Sequence, residues 1–232
     1  MKADFPSTMR TLIHRAGEGD RAALERLSTI YREPVFSFLR NQGLKDADAE
    51  DVTQQVFETI LEDGVFAKWD AMKGRFRHFL VGLIRNVAKD RLRREGAKKR
   101  GGGKKRLSID TAGPEGETPI SARVTKPMRD DEEFDKLWML NLVRHAMEGL
   151  KGECVRQKVR YHEALERYVF GSQSYTVVAK EMGVQVHDVK NWIHRARARL
   201  VPHVQRLILE TCRDPGEYQD EQKYLMKMMP VI

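Results

Sequence analysis

Cysteine is scarce in this chain of 232 residues, which has two. Cys154 and Cys212 are far apart and form no CxxC pair, which argues against a disulfide framework or a zinc site and fits a reducing compartment. We expect both to be small core residues. No apolar run approaches the roughly 20 residues that span a bilayer, and the opening MKADFPSTMR has no apolar core. The sequence therefore predicts a soluble, cytoplasmic protein with no membrane contact.

The alternation of apolar and polar residues that marks a half-buried strand is also lacking. Apolar residues instead recur at steps of three and four along most of the chain, which predicts an all-α fold. Breaks in this periodicity at GEGD (17–20), Pro34, the NQG turn before Leu44, Gly64 and Gly74 predict separate helices of ordinary length.

Large apolar residues are rare between residues 97 and 130, a stretch that contains AKKRGGGKKR and three prolines. That composition is typical of a linker. We therefore predict a helical unit at 1–96, a basic linker with glycine and proline at 97–130, a second helical unit at 131–213 and a C-terminal helix at 214–232.

The C-terminal helix has a clear start signal in DPGE. Asp214 is a candidate N-cap, Pro215 suits the first helical position, and Glu217 is placed to close a capping box. Apolar residues follow at helical spacing, so the helix should be amphipathic. It packs either on its own unit or in an inter-domain or autoinhibitory contact.

The charge balance points to a class of partner. The formal net charge is +8, and 33% of the residues are charged. An excess of positive charge favours a polyanion such as nucleic acid or an anionic membrane surface. A basic protein with no such partner is the alternative.

A helix-turn-helix is predicted from SYTVVAKEMGVQVHDVKNWIHRARARL. Val178 and Ala179 face inward on the first helix and Gly183 makes the turn. The small core is closed by Val184, Val189 and Trp192. Because the first turns of the second helix enter the major groove in this motif, their polar residues are candidates for base edges and the later arginines for phosphates.

The outward residues of that second helix are here called the recognition-helix set: Gln185, His187, Asp188, Lys190, Asn191, His194, Arg195, Arg197 and Arg199. An ordinary solvated helix face is the alternative for its arginines. His187 and His194 are separated by about 10.5 Å of helical rise, too far to ligate one ion, so we predict no metal and no cofactor.

In the first unit, DAEDVTQQVFETIL combines an apolar stripe with an outer side rich in carboxylates and amides. Such a surface suits a basic protein partner better than DNA; a solvated face is the alternative. We call it the acidic face, with the residues Asp48, Asp51, Gln54, Gln55 and Glu58.

Downstream, WDAMKGRFRHFLVGLIRNVAKDRLRRE mixes aromatic and basic residues, which grip phosphates and stack on exposed bases. An amphipathic helix with a basic outer side is the alternative. We call the candidate DNA contacts the melting set: Trp69, Lys73, Arg75, Phe76, Arg77, His78, Arg85, Asn86, Lys89 and Arg93.

DAEDVTQQVFETIL, GRFRHFLVGLIRNVAKDRLRR and the helix-turn-helix segment occur in the order and spacing of bacterial RNA polymerase sigma factors of the extracytoplasmic-function (ECF) group, which the chain resembles over both units. AKKRGGGKKRLSID and DPGEYQDEQKYLMKMM also resemble a planctomycete-type subset of that group.

The resemblance implies a transcription initiation factor. The unit at 1–96 would be sigma region two, with the acidic face on the clamp helices of the largest polymerase subunit and the melting set on the minus-10 element. The unit at 131–213 would be region four, with the recognition-helix set on the minus-35 element. Implied partners are core RNA polymerase, including its flap, promoter DNA and an anti-sigma factor.

One departure concerns the flap. Region four of this group often opens with Leu-Pro, whereas the matching stretch here, GLKGECVRQKVRYHEALERYVFG, is longer and has no proline. The mode of docking on the flap is therefore not carried over.

Two rival functions fit parts of the sequence. A stand-alone helix-turn-helix repressor or response regulator would bind duplex DNA tightly without polymerase. A metal-dependent nuclease would use Asp46, Asp48, Glu50 and Asp51, but helical spacing scatters these around the axis and no general base accompanies them. We predict that the chain is not an enzyme.

Overall fold

A computed structural model describes residues 11–61, 69, 74–100 and 130–228, and in these residues the chain is helical with no strand. The all-α prediction is confirmed. The described helices are α1 (Leu12–Gly17), α2 (Arg21–Asn41), α3 (Asp46–Leu61), α4 (Phe76–Arg100), α5 (Asp130–Gln157), α6 (Tyr161–Val169), α7 (Tyr175–Met182), α8 (Val186–Thr211) and α9 (Pro215–Met228).

The chain divides into two compact units. The first holds the described residues between 16 and 138, and the second those of 1–15 and 139–232. The division lies inside α5, eight residues beyond the predicted end of the linker at residue 130. α4 also extends to Arg100, into the start of the predicted linker.

In the first unit, α3 packs against α2 and α4. The predicted apolar stripe of α3 is buried, as Ala49, Val52, Val56 and Ile60 all have exposed fractions of 5% or less. The start of α2 is fixed by Asp20, whose Oδ1 accepts a hydrogen bond from the Ala23 N–H at 3.2 Å. Such an N-cap satisfies a donor that the first turn leaves unpaired.

The predicted break at Pro34 is wrong. α2 continues through Pro34, which is buried beside Val35 and Phe38. A proline inside a helix removes a hydrogen bond and costs about 3 kcal/mol. The apolar face buried on both sides of Pro34 offsets that cost. The helix ends instead at the predicted NQG turn, where Gly43 adopts a φ of 91°.

In the second unit, α8 packs against α6, α7 and α9. Its buried face contains Val189, Ile193, Ala196 and Leu200 and continues through Val204, Leu207 and Ile208, whereas Val186 at its start is half-buried. Both cysteines are buried and neither forms a disulfide, which confirms their prediction as core residues.

α9 begins at Pro215, as predicted. Asp214 Oδ1 accepts a hydrogen bond from the Glu217 N–H at 2.9 Å, and Glu217 Oε2 accepts one from the Arg213 N–H at 2.8 Å. Burial raises the pKa of Glu217. Tyr218 and Leu225 are buried where α9 packs on α8, so the helix packs on its own unit. Within the described ranges, no helix is both long and apolar enough to cross a membrane.

Candidate nucleic-acid interface

The helix-turn-helix has the local geometry that its sequence predicts. Ser174 caps α7, with its Oγ accepting from the Val177 N–H at 3.3 Å. Gly183 then adopts φ 67° and ψ 37°, a left-handed conformation that glycine tolerates best. Three residues separate Met182 from the start of α8 at Val186, so the two helices are joined by the short turn that the motif requires.

The recognition-helix set lies on and just before the first four turns of α8. Six of its members are exposed: Gln185, His187, Lys190, Asn191, His194 and Arg195. Asp188, Arg197 and Arg199 are half-buried. Trp192 is half-buried rather than part of a closed core, with its ring 6.3 Å from that of Tyr161.

Asp188 is engaged at the start of its own helix. Its Oδ2 accepts a hydrogen bond from the Gln185 N–H at 3.2 Å, and its Oδ1 lies 3.1 Å from His187 Nε2. A carboxylate in the first turn also interacts favourably with the helix dipole. Asp188 therefore stabilises the N-terminus of the recognition helix, a role that the sequence analysis missed.

Two arginines of the set have partners inside the second unit. Arg199 donates to Glu153 Oε1 at 2.9 Å and also to Gln157. Arg195 donates to the hydroxyl of Tyr161 at 2.9 Å. The positive charge of Arg199 is thus matched by a carboxylate, whereas that of Arg195 is not matched by its neutral partner.

The acidic face lies on the outer side of α3. Asp51, Gln54 and Glu58 are exposed, while Asp48 and Gln55 are half-buried. Arg91 of α4 bridges two of its carboxylates, with Nη2 2.9 Å from Asp48 Oδ1 and 3.1 Å from Asp51 Oδ2. These ion pairs tie α3 to α4, and Gln54 and Glu58 form the part of the face farther along α3.

The melting set divides by burial. Asn86, Lys89 and Arg93 are exposed along α4, and Trp69, Arg75, His78 and Arg85 are half-buried. Lys73 lies outside the described residues. The three exposed residues fall at steps of three and four, so they share one side of the helix.

Phe76 is part of the core of the first unit rather than an exposed base-stacking residue. Its side chain is 2% exposed, and its ring lies edge-on to those of Tyr31 and Trp69, each with a centroid separation of 5.4 Å. Edge-on aromatic packing of this kind stabilises a core. The prediction that Phe76 contacts DNA is not compatible with this burial.

Arg77 is also withdrawn from solvent, with an exposed fraction of 3%. Its guanidinium forms a two-point ion pair with Asp135 and lies over the ring of Trp138, 4.5 Å from the centroid. This guanidinium is already fully occupied, so the predicted contact of Arg77 with DNA is incompatible with this conformation.

The partner of Arg77 comes from the first turns of α5. His78 Nε2 also lies 3.3 Å from Asp135 Oδ1. Burial alone would raise the pKa of Asp135, but the adjacent His78 ring and the hydrogen bonds from Arg77 outweigh it and lower the pKa to about 2. Sequence reasoning missed Asp135 because it assigned DDEEFDKLW to the second unit.

The ECF sigma factor model matches residues 6–206, which cover all of the first unit and most of the second. A search of curated proteins found no match.

Proposed function

The chain belongs to the ECF sigma factor family and acts in transcription initiation, and we propose that it binds core RNA polymerase and directs it to promoters by recognising minus-35 and minus-10 elements. The observation that carries this proposal is that one family match extends over both helical units. A match confined to the helix-turn-helix would support any regulator that uses this motif.

In the proposed division of roles, the second unit reads the minus-35 element. The exposed Gln185, His187, Lys190 and Asn191 lie at the start of α8, which is the part of a recognition helix that meets base edges. The arginines farther along the helix contact phosphates, which increases affinity without adding sequence preference.

The first unit would hold the polymerase and the minus-10 element. The acidic face binds the clamp helices through charge complementarity. The exposed Asn86, Lys89 and Arg93, with half-buried Trp69 and Arg85, contact the minus-10 DNA. Melting follows when the unpaired strand binds better than the duplex, because capture of a flipped base offsets an unstacking cost of a few kcal/mol. The chain itself carries out no chemical step, since nucleotide transfer belongs to the polymerase. An anti-sigma factor stays a prediction from the resemblance.

The decisive experiment mixes the purified chain with core polymerase and measures stable association and run-off transcription from candidate promoters. Glu58→Arg should reduce core binding by at least about tenfold, because it places a cation against a basic partner. We choose Glu58 because it is exposed and lies outside the Arg91 ion pairs. Asp51→Arg should have the same effect.

Matched controls separate the two units. Asp220→Arg makes the same charge change on α9, at a side chain that is 66% exposed, and should leave core binding intact. Asn191→Ala should alter minus-35 preference while core binding survives. If the wild-type chain binds specific duplex DNA but not core polymerase, the proposal is wrong and the stand-alone regulator is favoured.

A further inference from the structure

Two tyrosines stack at the junction of α6 and α7. The rings of Tyr168 and Tyr175 are 4.6 Å apart and nearly parallel, at 7°, whereas the other ring pairs that the structure describes are tilted or edge-on. A hydrogen bond with Tyr168 raises the pKa of Tyr175. Both side chains are half-buried, so the stack belongs to the surface of the second unit rather than to its core.

A cationic side chain of α8 lies over each ring of the stack. Lys190 Nζ lies 5.7 Å from the centroid of Tyr175, and Arg197 Cζ lies 5.8 Å from that of Tyr168. Both distances fall within the range of cation–π attraction. The two cations are seven residues apart, almost two helical turns, so they project from the same side of α8.

Within the residues that the structure describes, no carboxylate neutralises the charges of these two cations. Among the described residues, neither Lys190 nor Arg197 has a carboxylate within ion-pair distance, in contrast to Arg199 with Glu153. The Nε of Arg197 is shielded from solvent and has no hydrogen-bond partner in the described part of the chain. A shielded donor without a partner is costly, so this geometry favours a ligand that brings an acceptor oxygen.

Aromatic rings and carboxylates hold a cation with different consequences. A carboxylate fixes an arginine but cancels its charge, whereas a ring fixes it and leaves the net charge in place. Support by tyrosines therefore suits a cation that must be held in position and still attract a polyanion.

We propose that Tyr168 and Tyr175 are positioning residues for DNA binding, which hold Arg197 as a phosphate contact and Lys190 beside the base-reading turns of α8. This proposal rests on the DNA-binding role proposed for the second unit. It distinguishes Arg197, whose charge is available, from Arg199, whose charge Glu153 already matches.

The test measures binding of the full chain to a short, fluorescently labelled duplex of random sequence by anisotropy, over a series of salt concentrations. Arg197→Ala should lower the slope of log affinity against log salt by about one unit, as expected for one lost phosphate contact. Tyr168→Leu should weaken binding about threefold to tenfold, and Tyr168→Phe, which keeps the ring, should restore it.

A double-mutant comparison shows whether Tyr168 acts through Arg197. In the Arg197→Ala background, Tyr168→Leu should cause no further loss of affinity. Arg206→Ala, which removes one positive charge from an 80% exposed side chain farther along α8, serves as the charge-matched control and should change the slope less than Arg197→Ala.

Each outcome bears on the inference. An equal loss on Tyr168→Leu in both backgrounds, or loss with a matching fall in melting temperature that Tyr168→Phe does not restore, would show a purely structural role and overturn it. Unchanged affinity overturns it as well. A wild-type chain that binds core polymerase but no duplex at any salt concentration overturns this inference and leaves sigma activity standing, whereas coupling without core binding supports the inference and contradicts the proposed function.

Discussion

At the scale of single residues, burial separates side chains that look equivalent in the sequence. Arg75, Arg77 and His78 lie within four residues of one another, yet Arg77 alone is buried with a full ion pair to Asp135. Its charge stabilises the first unit instead of meeting a phosphate. The consequence is a specific dependence of stability on pH.

Asp135 should make the first unit less stable in acid. Its pKa is lowered from 3.8 to about 2 in the folded protein, so the stabilisation is present above about pH 4 and is lost as the pH falls towards 2. A shift of this size corresponds to about 2 kcal/mol. The measurement is urea unfolding against pH, followed by Trp138 fluorescence with Trp69 and Trp192 replaced by phenylalanine.

In that assay Asp135→Asn should destabilise the unit by about 3–5 kcal/mol at neutral pH, because Arg77 is left buried without its counter-charge. The difference in free energy of unfolding between this variant and the wild type should become smaller in acid. Asp220→Asn, at an exposed site, should show no such convergence. A constant difference across the pH range would contradict the role of Asp135.

Gly183 should be required because of its left-handed backbone conformation, and not because a larger side chain would lack room. A Cβ added there meets nothing within 4 Å, but its φ of 67° is unfavourable for other residues. Gly183→Ala should therefore cost about 1–2 kcal/mol in unfolding followed by Trp192 fluorescence. The control is Gly152→Ala in helix α5 of the same unit, where a Cβ makes only an ordinary contact with Arg156. That change should stabilise by up to about 1 kcal/mol, and equal effects at both sites would contradict this explanation.

At the scale of elements, α5 contributes to both units. Phe134, in its first turns, is fully buried with its ring edge-on to Phe38 at 5.7 Å, and the Asn41 amide donates to Glu133 Oε1 at 2.9 Å. Farther along, Glu153 pairs with Arg199 of α8. The first turns of α5 are therefore structural parts of the first unit.

Phe134→Ala should loosen the first unit, at a cost of about 3–5 kcal/mol for a large buried aromatic side chain. Hydrogen exchange should show lost amide protection in α2 and α4. Leu140→Ala, six residues along the same helix at a 57% exposed position, should change stability by less than about 0.5 kcal/mol. Loss of protection confined to α8 and α9 would show that the first turns of α5 belong with the second unit.

At the scale of the whole molecule, net positive charge and the two-unit organisation suit a factor that holds DNA and polymerase together. The stretch AKKRGGGKKR at 97–106, which the sequence predicts to be part of a linker, adds six cations. Positive charge of this density attracts DNA or an acidic protein channel at long range.

Replacement of those six cations with alanine or serine should weaken run-off transcription by the holoenzyme. Because salt screens such attraction, the deficit should be largest at low salt and should shrink as salt rises. A control that changes Gly101, Gly102 and Gly103 to serine keeps every charge and should transcribe normally. Equal transcription by the charge variant and the wild type at low salt would show that the linker charge is dispensable.

Elements whose causes are local can be predicted from the chain alone. The periodicity of α3 and α8, the glycine of the turn and the Asp214 cap at α9 depend on residues within a few positions of one another, so they can be read from the chain. The helix through Pro34 was missed because the apolar face that compensates its lost hydrogen bond is a tertiary feature.

Contacts between residues far apart in the chain determine which candidate site residues remain available. Arg77 and Asp135 are 58 positions apart, and no local pattern indicates that the start of α5 returns to the first unit. Arg199 and Glu153 are likewise far apart in the chain, as are Arg197 and Tyr168, and no local pattern predicts either contact. Charge and spacing indicate which residues could bind a polyanion. Packing determines whether each of them is already paired inside the protein, because an arginine binds whichever acceptor the fold brings within reach.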